Sequence, residues 1–168
     1  MENYNFDQKF LVSEITKGEQ GFSSIFHKYY DGFIIITSMK DKKGYIWNKD
    51  KKIYEPYVFE MIINTMVDLL REAIKFLIKK VDENDGLDDN EKMKKKKDYG
   101  KIDFTARKLQ NISQFLISKY YNKDIASQVD NIDDVIPVKN GKLINLKTGQ
   151  MRERTVTDYF TYEKDVEY

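Results

Sequence analysis

Apolar residues recur at Val58, Met61, Ile62, Met66, Leu69, Leu70, Ala73, Phe76, Leu77 and Val81. Steps of three and four residues put them all on one side of a helix, so the stripe predicts an amphipathic helix of roughly six turns. A stripe of that length has to be covered, and the rest of the chain must supply the cover. Pro56, just upstream, suits the first turn of this helix, where a missing N–H costs nothing.

The cover is legible in part. Ala106, Leu109, Ile112, Leu116 and Tyr120 form a second stripe, predicting a helix from about 103 to 120. Phe22, Ile25, Phe26 and Tyr29 predict a shorter one over residues 18–30, broken by Asp31-Gly32. A further helical turn includes Ile125, Ala126 and Val129. Between these lie Phe33-Ile34-Ile35-Ile36-Thr37, Tyr45-Ile46-Trp47-Asn48 and Ile53-Tyr54-Glu55, apolar or β-branched runs separated by polar turns. They predict a small antiparallel sheet. Residues 82–99 hold almost no apolar side chain, first acidic and then basic, and read as a flexible charged loop. Residues 130–168 read as a β-meander, with Asn140-Gly141 as a type I′ turn and a second turn at Lys147-Thr148-Gly149. The expected fold class is therefore α+β. It has a predominantly helical core of two long amphipathic helices, a small N-terminal antiparallel sheet and a C-terminal β-meander, in a single domain over 1–168.

Charge narrows the function classes. Lys+Arg number 29 and Asp+Glu 28, so no global attraction to polyanions exists and any nucleic-acid site must be local. The chain has no Cys and one His, which excludes a disulfide framework and a thiolate zinc site. No apolar run approaches the roughly 20 residues that span a bilayer, and the N-terminus lacks the pattern of a secretory signal. The expectation is an intracellular protein with no membrane partner.

Several side chains carry candidate chemistry. Tyr45, Trp47 and Tyr54, with Lys42, Lys43, Lys49, Lys51 and Lys52, combine stacking rings with cations, as single-stranded nucleic-acid sites do. The same rings could instead cover the long helix. Lys139, Lys142, Lys147, Arg152 and Arg154 decorate the meander, and strand alternation puts Arg152 and Arg154 on one face, where they could grip phosphates or pair with acids of a neighbouring subunit. Lys92, Lys94, Lys95, Lys96 and Lys97 could bind phosphates by counterion release, or lie solvated beside their acidic neighbours. Asp133-Asp134 and Asp88-Asp89 are paired carboxylates with no partner acid or His placed to complete a metal site. His27, on a helical stripe, has no assignable nucleophile beside it. Lys147-Thr148-Gly149 fails as a phosphate loop, because the upstream glycine is missing and no helix follows.

The order Pro137, Asn140-Gly141, the apolar strand Leu143 to Leu146, Lys147-Thr148-Gly149, then Arg152-Glu153-Arg154-Thr155-Val156-Thr157-Asp158-Tyr159-Phe160-Thr161 resembles a known segment. It is similar to the stretch just upstream of the ATPase core in superfamily 3 helicases of the poxvirus and giant-virus helicase-primase type. The likeness is sharpest over 130–168 and looser over 44–57, where a Trp stands in a short strand before a helix. The resemblance implies DNA replication at a viral replication site in the host cell, by a homo-hexameric ring whose motor hydrolyses ATP with Mg. It makes this chain a non-catalytic accessory or linker domain, excised or split from its motor, with no cofactor of its own. Its partners would be DNA, its own helicase and primase domains, and neighbouring ring subunits. Two other readings stay open: an autonomous single-stranded nucleic-acid-binding module, and a fragment of a metal-dependent nucleic-acid enzyme using Asp133 or Asp134.

Overall fold

The structure is a computed structural model that describes residues 4–41, 43–57, 59–131 and 133–165. Val58 at the head of the long stripe, Lys42 of the aromatic-basic cluster and the last three residues of the expected meander lie outside the described residues. The chain is α+β, with helices α1 to α6 and two three-stranded antiparallel sheets in the order α1, α2, β1, β2, β3, α3, α4, α5, α6, β4, β5, β6. Among the described residues no helix is long and apolar enough to cross a membrane. The chain divides into two compact units, one of residues 1–29 and 60–116, the other of residues 30–59 and 117–168.

The first unit is helical. Helix α3 (Phe59–Asp82) carries the long stripe, and Ile62, Met66, Leu69, Leu70, Ala73 and Leu77 are buried. Met61 departs from the expected pattern and is 57% exposed, while Val67, outside the stripe, is buried. Helix α5 (Ala106–Tyr120) adds buried Ile112 and Leu116, and α2 (Glu19–Tyr30) adds Phe22, Ile25 and Phe26. Helix α1 (Gln8–Ile15) has no counterpart in the sequence reading. Its cap is Asp7, whose carboxylate accepts from the Phe10 N–H at 3.0 Å and whose own N–H donates to the Tyr29 hydroxyl at 3.1 Å. A Cβ added at Gly21 would fall 1.7 Å from the Glu14 carbonyl oxygen, so α1 comes as near α2 as only glycine allows.

Residues 82–99 are not a loop throughout. Helix α4 (Asp89–Gly100) occupies most of the segment. A capping box starts it: Asp88 Oδ1 accepts from the Glu91 N–H at 2.8 Å, and Glu91 Oε2 from the Asp88 N–H at 3.2 Å. Acids in its first turn and lysines behind them also suit the helix dipole. Low apolar content predicted disorder, but local capping supplies what tertiary burial does not, since no residue of α4 is buried.

The second unit contains both sheets. Strands β1 (Ile34–Ser38), β2 (Lys43–Asn48) and β3 (Ile53–Tyr57) form the first, with β2 central. Pro56 belongs to β3, opposite Tyr45, rather than to the first turn of α3. Strand β3 is an edge, where proline's missing N–H breaks no ladder. Helix α6 (Lys123–Gln128), capped by Asn122, lies against β1. Strands β4 (Val135–Val138), β5 (Lys142–Asn145) and β6 (Met151–Glu153) form the meander.

Asn140 and Gly141 both have positive φ, 62° and 70°, as their turn requires. Val138 pairs with Lys142, so three residues rather than two separate the paired positions. A Cβ on Gly141 would meet the Lys52 side chain at 2.8 Å, whereas one on Gly149, also at positive φ, would meet nothing within 4 Å. Gly141→Val is therefore expected to destabilise the protein clearly more than Gly149→Ala, because a β-branched residue at positive φ adds strain to the clash. Chemical denaturation of the two variants checks this, and equal costs would contradict the packing of Gly141 on Lys52.

Candidate nucleic-acid interface

All nine candidate nucleic-acid-binding residues, Tyr45, Trp47, Lys49, Lys51, Lys52, Lys139, Lys142, Arg152 and Arg154, fall in the second unit. Its geometry centres on Tyr54, fully buried in β3. The Tyr54 N–H donates to the Phe160 carbonyl at 2.8 Å. Its hydroxyl lies 2.5 Å from the Gly32 carbonyl oxygen and 2.8 Å from that of Val156, with one proton to share between them. Burial pushes this phenol above its ordinary range, with the neighbouring Tyr159 adding to the effect. Trp47 stands opposite Tyr54 on the neighbouring strand, rings 5.1 Å apart and edge-on. Trp47 and Tyr45 are half-buried. The Trp47 ring thus packs against buried Tyr54, and Trp47 and Tyr45 each keep part of their surface exposed.

The cations around them mostly have carboxylate partners. Lys51 Nζ is 2.6 Å from Glu55, which also accepts from the Asn48 amide at 3.0 Å. The Lys51 hydrogen bond first, then that of Asn48, holds the Glu55 carboxyl below its usual range. Lys52 pairs with Glu153 and lowers its pKa, with Lys142 a weaker contributor. Lys139 pairs with Asp165, and Lys147 with Asp134 at 2.8 Å. Lys49 sits 5.3 Å from the Phe33 ring centre. Asp134, one of the two candidate metal carboxylates, is thereby tied to a lysine. Among the described residues no group of three or more His, Cys, Asp or Glu is placed to hold a metal ion.

Arg152 and Arg154 do not share an environment, contrary to the alternation expected of one strand. Strand β6 ends at Glu153, and Arg154 lies beyond it, its N–H donating to the Gly141 carbonyl at 2.8 Å. Arg152 is half exposed and bidentate to Asp158 at 2.8 and 2.5 Å. Burial alone would raise the Asp158 pKa, but Arg152 together with the N–H and hydroxyl of Thr155 outweighs it and holds the carboxyl low. The Arg154 side chain is fully buried. Its Nη2 reaches Glu163 at 2.5 Å and the Lys51 carbonyl at 3.1 Å, while Nε and Nη1 have no partner among the described residues.

The remaining residues of the run close the segment on itself. Thr155 and Asp158 form a capping box around a 3-10 turn (Val156–Asp158), and Tyr159 follows in the left-handed region at φ 55°. Phe160 is buried. Thr161 donates its N–H and hydroxyl to the Asp130 carboxylate at 2.7 and 2.5 Å. Asp130 itself has φ 59°, and its N–H donates to the Tyr159 carbonyl at 3.1 Å. Sequence reasoning missed Tyr54 as the organising residue and missed Asp130 and Glu163 altogether. The Thr-x-x-Asp spacing of the capping box was the one available signal. Comparison of the chain with protein-family models, with curated proteins and with solved structures returns no match.

Proposed function

We propose that this chain is a non-catalytic accessory and linker domain of a viral DNA-replication helicase-primase of the superfamily 3 type, supporting ring assembly and DNA guidance. The observation that carries this reading is the use of residues 152–161, the run with the sharpest resemblance. Arg154, Val156 and Phe160 bond to Lys51 and Tyr54 of the β2–β3 hairpin, Tyr159 and Thr161 bond to Asp130, and Arg152 and Thr155 bond to Asp158 within the run itself. A segment anchored in this way hands whatever follows it a fixed direction, which is what a connector to a motor has to do. ATP and Mg would bind in that motor. This chain offers them no glycine-rich phosphate loop.

Two measurements test the reading. The purified chain is expected to hydrolyse no ATP, and turnover abolished by a single substitution in this chain would overturn the non-catalytic part. In the source genome, a phosphate loop encoded in the same reading frame downstream of Tyr168, or in an adjacent gene, is the expected finding. Its absence from both places would overturn the helicase part.

A further inference from the structure

We infer that the exposed lysines of α4, Lys94, Lys95 and Lys97, form a binding surface for the phosphate backbone of a nucleic acid. The helix has two kinds of lysine. Lys92 Nζ donates to the Asp82 carbonyl at 3.2 Å and Lys96 Nζ pairs with the Asp82 carboxylate at 2.7 Å, so these two hold α4 to the end of α3. Lys94, Lys95 and Lys97 are exposed and have no carboxylate partner among the described residues. Among the described residues none of the nearby acids forms an ion pair with them: Asp88 and Glu91 are joined in the capping box, Asp98 pairs with Lys101 at 3.3 Å, and residues 88–101 carry six lysines against four acids.

Lys94, Lys97 and Lys101 follow at three- and four-residue steps, so they are neighbours on one helical face, and like charges so placed repel. A polyanion removes that repulsion and gains the entropy of the counterions it releases. In the second unit most of the candidate cations are already engaged. There Lys51, Lys52, Lys139, Lys147, Arg152 and Arg154 each hold a carboxylate. Among the described residues, the near-neutral total thus includes a run of exposed lysines on α4 that form no ion pair. A membrane surface fits less well, because Met93 is the one large exposed hydrophobic residue on α4 and an interfacial helix needs an apolar face. This inference does not rest on the helicase reading and survives if no motor is found.

The test is a titration of a fluorescent oligothymidylate with the full chain, followed by anisotropy at about 50 and 200 mM salt. Wild type is expected to bind at the lower salt and weaken steeply at the higher. The triple variant Lys94→Gln, Lys95→Gln, Lys97→Gln keeps helix propensity. It is expected to bind on the order of a hundredfold more weakly at low salt, with a salt slope smaller by about two. The triple Lys→Arg variant is expected to retain binding, and circular dichroism should be unchanged in both. No binding by wild type, undiminished binding by the Gln triple, or a loss confined to Trp47→Ala would each overturn the inference. So would binding to phosphatidylserine vesicles without binding to the oligonucleotide.

Discussion

Leu69→Asp is expected to abolish the cooperative unfolding of the helical unit. Leu69 is fully buried at the middle of α3. Losing a buried leucine already costs about 2–5 kcal/mol. An aspartate there either stays charged without a partner or takes up a proton, and each route adds further cost. The sum rivals a total stability of roughly 5–15 kcal/mol. Thermal melts followed by circular dichroism check it, with two controls. Leu69→Met preserves volume and polarity and should cost less than about 1.5 kcal/mol. Met61→Asp, on the same helix at a 57% exposed position, should stay within about 0.5 kcal/mol of wild type. A Leu69→Asp protein that melts within a few degrees of wild type would show that this face carries no core. A Met61→Asp protein that unfolds would show that the exposed end of the stripe is covered in solution.

The contrast between Leu69 and Met61 also marks what was legible in the sequence. Periodicity identifies a stripe but not its ends, because the residues covering the middle come from other elements and need not reach the first turn. The α+β class, the two amphipathic helices, the first sheet and the meander all follow from apolar spacing and turn residues, which are local properties. Helix α4 is not legible from apolar content, because its stability comes from a capping box and dipole-matched charges. Pro56 is ambiguous in the sequence because proline suits both a first helical turn and an edge strand, and only the pairing with Tyr45 distinguishes them. The candidate interface was the least legible part. Charge and ring type say what a side chain can contact but not whether an acid far along the chain has already reached it. Lys52 and Glu153 are separated by 101 residues, a distance over which spacing carries no information.

Glu163→Gln is expected to destabilise the protein more than Arg154→Met, although Glu163 is the more exposed partner. The Arg154 side chain is fully buried and that of Glu163 is 36% exposed. If Arg154 is replaced, Glu163 is left near the surface, where water can solvate it. What is lost is a charged hydrogen bond to the Lys51 carbonyl, worth about 1.5–3 kcal/mol, and methionine offsets part of it by refilling most of the volume with an adaptable apolar chain. If Glu163 loses its charge, the guanidinium keeps its own and cannot reach water. The glutamine oxygen can still accept from Nη2, but it carries no charge to balance the guanidinium, whose Nε and Nη1 already lack partners among the described residues. Breaking a buried ion pair from this side costs about 3–5 kcal/mol, and the partial exposure of Glu163 argues for the lower end. The double variant Glu163→Gln with Arg154→Met should recover most of the loss, because the uncompensated charge is gone. Urea denaturation of the three proteins gives the comparison directly. If Arg154→Met proves the costlier single change and the double variant recovers nothing, then Arg154 acts through its hydrogen bonds and packing, and the charge of Glu163 is incidental to the anchoring of the segment.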